Sequence, residues 1–200
     1  GPVSVSVVVF TVAVWLLHEA LITWAAVDTN LTLQDNGMAI HGQWWRLVTP
    51  LVVHYGIVHI GFNMWALWVI GPPVEKVMGR WVFLASYLLC GVGGQVVSDL
   101  HYGVGQASGG ASGAIFGLIG MLIGNYLVTT ELEKRGHRSR QAWRFNGKAA
   151  KSLAIQGFVW IAISSALIPG IDNWAHIGGV AVGLVIGAAV GWARTREPAG

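Results

Sequence analysis

Long apolar stretches alternate along this chain with short polar segments edged by glycine and proline. Crossing the hydrocarbon core of a bilayer takes about 20 predominantly apolar helical residues, with a range of roughly 17 to 25. Six stretches meet that length, at approximately residues 5–26, 50–70, 81–97, 112–128, 152–168 and 174–192. Gly71-Pro72-Pro73, the Gly/Ser/Gln-rich stretch before Ser112, and Pro169-Gly170 punctuate them with helix-breaking chemistry. The pattern predicts an all-α polytopic membrane protein, a bundle of six transmembrane helices without a soluble domain.

Composition agrees. Of 200 residues, 54% are hydrophobic and 10% charged, and the mean hydropathy is +0.59, too apolar for an ordinary soluble domain. Eleven tryptophans and 28 glycines suit a bilayer, since Trp anchors at the interface and Gly lets helices approach closely. The lone Cys90 permits no intramolecular disulfide. Gly1-Pro2 reads as a tag-cleavage scar, and residues 3–200 as one membrane-embedded domain.

The charges orient the spans. Lys76, Arg80, Lys134, Arg135, Arg138, Arg140, Arg144, Lys148, Lys151, Arg194 and Arg196 lie on one side and Arg46 alone on the other. By the positive-inside rule the basic side and both termini are cytoplasmic. The net charge of +3 thus reflects topology rather than nucleic-acid binding.

Three spans carry chemistry. In the second, His59 and Asn63 are four residues apart and project from one helical face. Intramembrane polar groups are costly unless paired or hydrated, so they mark either function or interhelical hydrogen bonding. The fourth span opens with Gly109-Gly110-Ala111-Ser112-Gly113. Small neighbours leave the hydroxyl accessible, and a helix N-terminus offers free N–H donors to a developing oxyanion, although an ordinary N-cap serine looks the same. The sixth opens with Trp174-Ala175-His176-Ile177-Gly178-Gly179, and Gly183, Gly187 and Gly191 continue a four-residue repeat. His176 falls within about 60° of that glycine face. Gly113, Gly117, Gly120 and Gly124 form a matching stripe on the fourth span, so the two helices are expected to meet and bring Ser112 beside His176.

Depth is the difficulty. If the second span starts at Pro50, His59 lies about 13 Å below that start, whereas Ser112 and His176 open their helices. A short, submerged fourth span of about 17 residues would reconcile them, with the irregular loop before it buried by protein or lining a water-filled cavity.

His59-Ile60-Gly61-Phe62-Asn63, Gly110-Ala111-Ser112-Gly113 and Ala175-His176-Ile177-Gly178-Gly179 resemble, in order and on the expected helices, the three signature motifs of the rhomboid intramembrane serine proteases. Trp45-Arg46 is similar to that family's Trp-Arg motif. The resemblance covers essentially the whole chain and implies a six-helix fold. It implies that Ser112 attacks the scissile carbonyl and that His176 relays its proton. It further implies an oxyanion hole from the Ser112 N–H, His59 and Asn63, with Gly110 and Phe116 beside the substrate. Phe116 stands where the family often has tyrosine, which keeps ring packing under the histidine and drops any phenolic hydrogen bond. Implied partners are single-span membrane proteins cut near the outer face, with access beside the fifth span, and no cofactor or metal.

Asp172, four residues before His176, is expected to be hydrated rather than a third catalytic member. His54 is expected to brace the first outer loop, and His18 and Glu19 to snorkel outward. Alternatives are a catalytically dead client-binding relative, a small transporter lined by Glu19, His54, His59 and Asn63, and a zinc site on His54 and His59. The second lacks internal repeats, and on one helix the two histidines of the third would point about 140° apart. A prokaryotic inner membrane is the expected location.

Overall fold

The computed structural model describes residues 1–25, 34–35, 37–105, 107–137 and 171–195, with isolated positions between 148 and 159. Five helices lie in these segments: α1 (Pro2–Ala25), α2 (Ile57–Met78), α3 (Arg80–Tyr102), α4 (Ser112–Lys134) and α5 (Asn173–Arg194). Each contains a stretch long and apolar enough to cross a bilayer. The described residues are therefore those of a helical, polytopic integral membrane protein. The fifth expected span, residues 152–168, lies outside the described residues apart from isolated positions, and among the described residues five spans are seen.

The helices are apolar nearly all round because their outer solvent is lipid. Phe10, Phe62, Trp65, Trp68 and Val185 are all more than half exposed. What distinguishes inside from outside is side-chain size and polarity. In the most apolar window of α4 67% of the residues are buried, against 11% for α1, so α4 is the central post and α1 a peripheral one.

Several helix boundaries differ from expectation, and the start of α2 matters most to the site. The second helix starts at Ile57, not Pro50: Thr49–Val52 form a 3-10 turn, and Gly56 takes φ +99°, a conformation open to glycine alone among ordinary residues. It also runs through Gly71-Pro72-Pro73 to Met78. Gly71 is there for close approach, since an added Cβ would sit 2.8 Å from Ser4 Cβ on α1. The end of α2 is held from outside: the Arg194 guanidinium donates to the Val77 and Met78 carbonyls at 3.0 and 2.7 Å, favourable at a helix C-terminus. Buried Glu75 accepts from the Val3 and Ser4 amides at the start of α1. At 23 residues, α4 is likewise longer than the 17 expected, so helix length no longer argues for a submerged start.

The expected glycine contact is present. A Cβ added to Gly179, Gly183 or Gly187 of α5 would lie 2.0, 1.9 and 2.0 Å from the Gly113, Gly117 and Met121 carbonyl oxygens of α4. Reciprocally, a Cβ on Gly120 or Gly124 would meet the Val180 or Leu184 carbonyl at 2.5 or 2.2 Å. Gly94 and Gly178 seat α3 on α5 in the same way, against Ala175 O and Val97. No side chain fits between these backbones. Gly183→Ala is expected to force α4 and α5 apart and lower stability by at least about 2 kcal/mol, whereas Gly61→Ala, which meets open space, should change little. Thermal unfolding in detergent compares them; equal melting temperatures would contradict the ladder.

Candidate active site

The loop ahead of α4 is irregular backbone in a membrane protein, and its polar groups must find protein partners. They do so one after another on the segment between α1 and α2. Ser108 and Asp35 exchange both backbone bonds at 2.8 Å, the Gly110 N–H donates to Pro50 O at 2.8 Å, and the Ala111 N–H donates to His54 Nε2 at 3.4 Å. Gly110 takes φ +121°, which swings the chain into the first turn of α4. An added Cβ there would lie 2.8 Å from His59 Nε2 and 3.8 Å from Ser112 Oγ, so the glycine keeps open the space between those two groups. Arg46 of the Trp-Arg pair is buried and donates to Gln34 O at 2.6 Å and to Gln43, bracing the same loop.

Ser112 is the first residue of α4 and half-buried. Its hydroxyl lies 2.8 Å from Nε2 of His176, which is 4% exposed and sits in the first turn of α5. The Phe116 ring, one turn beyond the serine, packs under the imidazole at a centroid distance of 4.6 Å and 40°. Ring packing is retained without a phenol.

His59 is the third residue of α2, because that helix starts late. His59, Ser112 and His176 thus all occupy first turns, and the depth mismatch anticipated from a start at Pro50 does not arise. The Tyr55 N–H donates to His59 Nδ1 at 3.2 Å, and the Tyr55 ring stacks on the imidazole at 6.0 Å and 14°. A ring nitrogen that accepts is bare, so His59 carries its hydrogen on Nε2, the atom facing the Gly110–Ser112 corner. Asn63 turns one amide N–H back to the His59 carbonyl at 3.0 Å, leaving its second.

Three expectations need correction. Asp172 is not simply hydrated: it is half-buried, accepts from the Ala175 N–H at 2.9 Å as the N-cap of α5, and accepts a short hydrogen bond from Ser98 Oγ. Both oxygens are so occupied, and among the described residues His176 Nδ1 is buried without a hydrogen-bond partner. His54 lies between the Val52 carbonyl and the Ala111 amide ahead of α4, where the expectation had it bracing the first loop. It precedes α2, so the 140° helical angle between it and His59 does not apply; the two rings are 5.0 Å apart. His18 and Glu19 lie 3.7 Å apart, His18 being buried. Gln95, which accepts from Ser108 Oγ at 3.2 Å, and Ser98 were not singled out from the sequence; polarity inside the third span was the only signal they offered.

An all-helical membrane protein that presents a serine hydroxyl to an imidazole from two adjacent helix starts has the arrangement of a serine hydrolase set inside a bilayer. Residues 41–193 match the family model of the rhomboid domain. The chain is 33% identical over 148 residues to rhomboid-type serine protease 2 of Emericella nidulans, covering 74% of this chain and 27% of that one. It is 34% identical over 158 residues to rhomboid protease GluP of Bacillus subtilis, covering 79% and 28%. To RHOMBOID-like protein 6, mitochondrial, of Arabidopsis thaliana it is 32% identical over 178 residues, covering 86% and 52%. The chain belongs to the rhomboid family. It spans under a third of the length of the first two of these relatives.

His54, buried just outside the helix, has its basicity pushed down to about 4 by burial first and then by His59. Its folded value lies below the unfolded 6.5, so its contribution to stability is complete above pH 6.5 and is lost as pH falls towards 4. Unfolding in detergent at pH 7.5, 6, 5 and 4 should show that decline, reduced in His54→Gln. At the other end of the site, Asp172→Ala should cost about 1 kcal/mol and Asp172→Asn, an equally good cap, much less; a similar melting loss in both would contradict the capping role.

Proposed function

We propose that this chain is an intramembrane serine endopeptidase that hydrolyses peptide bonds in or near transmembrane segments of other membrane proteins. The observation that carries the reading is the 2.8 Å approach of Ser112 Oγ to His176 Nε2. Hydroxyl and imidazole come from separate helices, and a glycine ladder holds the pair together.

In this reading His176 Nε2 takes the Ser112 proton as Oγ attacks the scissile carbonyl, and returns it to the leaving amine. Water then repeats the sequence on the acyl-enzyme. Two groups work without a third, because Asp172 is committed to capping α5 and to Ser98. The carbonyl oxygen, negative in the tetrahedral intermediate, is received by the Ser112 N–H, which helix geometry leaves unpaired, by His59 Nε2–H, and by the second N–H of Asn63. Such donors act where charge develops and are each worth about 10²–10³ in rate. Gly110 leaves room for that oxygen and Phe116 supports the imidazole.

Local unwinding of the substrate is required, because an intact helix buries its carbonyls in its own hydrogen bonds. The substrates this implies carry a poorly helical segment; that they are single-span proteins with small residues at the cut is what the family resemblance implies. The charge asymmetry supports cytoplasmic termini and a site toward the outer face. A prokaryotic inner membrane is the proposed host.

Purified protein in detergent is expected to label with a fluorophosphonate probe, and Ser112→Ala and His176→Ala to abolish labelling. His59→Ala should slow it by about a hundredfold, roughly 2.7 kcal/mol of barrier. A folded wild type that does not label would return the weight to client binding or transport.

A further inference from the structure

The ring of His54 is 1% exposed and meets backbone on both sides. Nδ1 lies 3.3 Å from the Val52 carbonyl oxygen and Nε2 lies 3.4 Å from the Ala111 nitrogen. A carbonyl can only accept and an amide N–H can only donate. A single state of the ring satisfies both: neutral, with its hydrogen on Nδ1 and Nε2 bare. An imidazolium would turn the acceptor facing Ala111 into a donor and leave two N–H groups opposed.

Ala111 is fully buried and immediately precedes Ser112. It is the N-cap residue of α4, and its carbonyl receives the Ile115 N–H at 3.0 Å. Its backbone therefore determines both where the Ser112 N–H points and where Oγ starts. The preceding amide, that of Gly110, is held by Pro50 O at 2.8 Å, so consecutive peptides ahead of the serine are gripped from the segment that precedes α2. The same segment supplies the Tyr55 N–H that sets the tautomer of His59. Among the described residues, the titratable group acting on His54 is His59 of α2; the contacts from the loop before α4 and from Val52 are backbone.

We propose that His54 is a positioning residue for the nucleophile: as a neutral Nδ1–H imidazole it holds the Ala111 amide, and through it the N–H and hydroxyl of Ser112. The proposal rests on the reading of Ser112 as nucleophile. His54 touches no reacting atom, and its basicity, lowered as described above, keeps it in the required state at neutral pH.

Substitutions that mimic one ring nitrogen at a time separate this role from simple filling. His54→Gln keeps an acceptor where Nε2 stands; His54→Asn keeps a donor where Nδ1 stands and falls short of Ala111; His54→Phe keeps ring volume alone. We expect fluorophosphonate labelling of Ser112 at pH 7.5 within about fivefold of wild type for His54→Gln. For His54→Asn and His54→Phe it should fall by about thirtyfold or more, as expected when a nucleophile is misplaced by a fraction of an ångström to an ångström. Wild-type rates in folded His54→Phe, or equal rates in the Gln and Asn variants, would overturn the proposal. Nitrogen-15 spectra of histidine-labelled wild type in micelles provide a reading that needs no variant. His54 should show a protonated Nδ1 and a bare Nε2 from pH 8 down to about 5, and the opposite tautomer or a titration near 6.5 would overturn it. If the expected tautomer is found but wild type never labels, the protease reading fails, and the positioning role falls with it.

Discussion

Backbone-to-backbone contact between α4 and α5 is the constraint on which the rest of this structure depends. Inside lipid, apolar side chains gain little by moving from solvent to a helix interface, so association relies on close packing and on polar groups that find partners. Gly179, Gly183 and Gly187 place α5 against the carbonyl ridge of α4 at a distance that excludes even a methyl group. Over a rigid interface of that kind, the relative height and rotation of the two helices are fixed to within a side-chain atom. Ser112 and His176 stand at the N-terminal ends of these helices, and their 2.8 Å separation follows from that register.

A second constraint comes from the loop that delivers Ser112. Unpaired backbone in a bilayer is expensive, so a stretch that is not helical must be satisfied by its neighbours. Here the partners come from the segment between α1 and α2, through Asp35, Pro50 and His54. Satisfying the loop and aiming the serine are one set of bonds. This makes the connecting loops part of the site's architecture, with Arg46 holding one of them from within.

Charge is handled by commitment. Asp172, the carboxylate nearest His176 in sequence, is spent on the N-terminus of its own helix and on Ser98, while Glu75 and Arg194 cap α1 and α2 at the other end of the bundle. The imidazole of His176 is left with the serine on one nitrogen and a ring beneath it.

Much of this was legible in the residues. Apolar length marked the spans, because bilayer thickness imposes it on any helix that crosses. Glycines at every fourth position on α5, with a matching stripe on α4, announced the meeting of those helices, because a missing Cβ is the one means by which backbones touch. Helix ends were misjudged at both ends of α2: Gly56, with its positive φ, delays the start, and at the far end Arg194, more than a hundred residues away in the chain, holds the last carbonyls. The sequence by itself determined the membrane-length apolar helices and the glycine faces on which two of them meet, since these depend on composition and local spacing. Only the tertiary structure decided that His59 shares a level with Ser112, that Asp172 turns away from His176, and that His54 grips Ala111, because each depends on hydrogen bonds between segments whose separation in the chain encodes no distance in space.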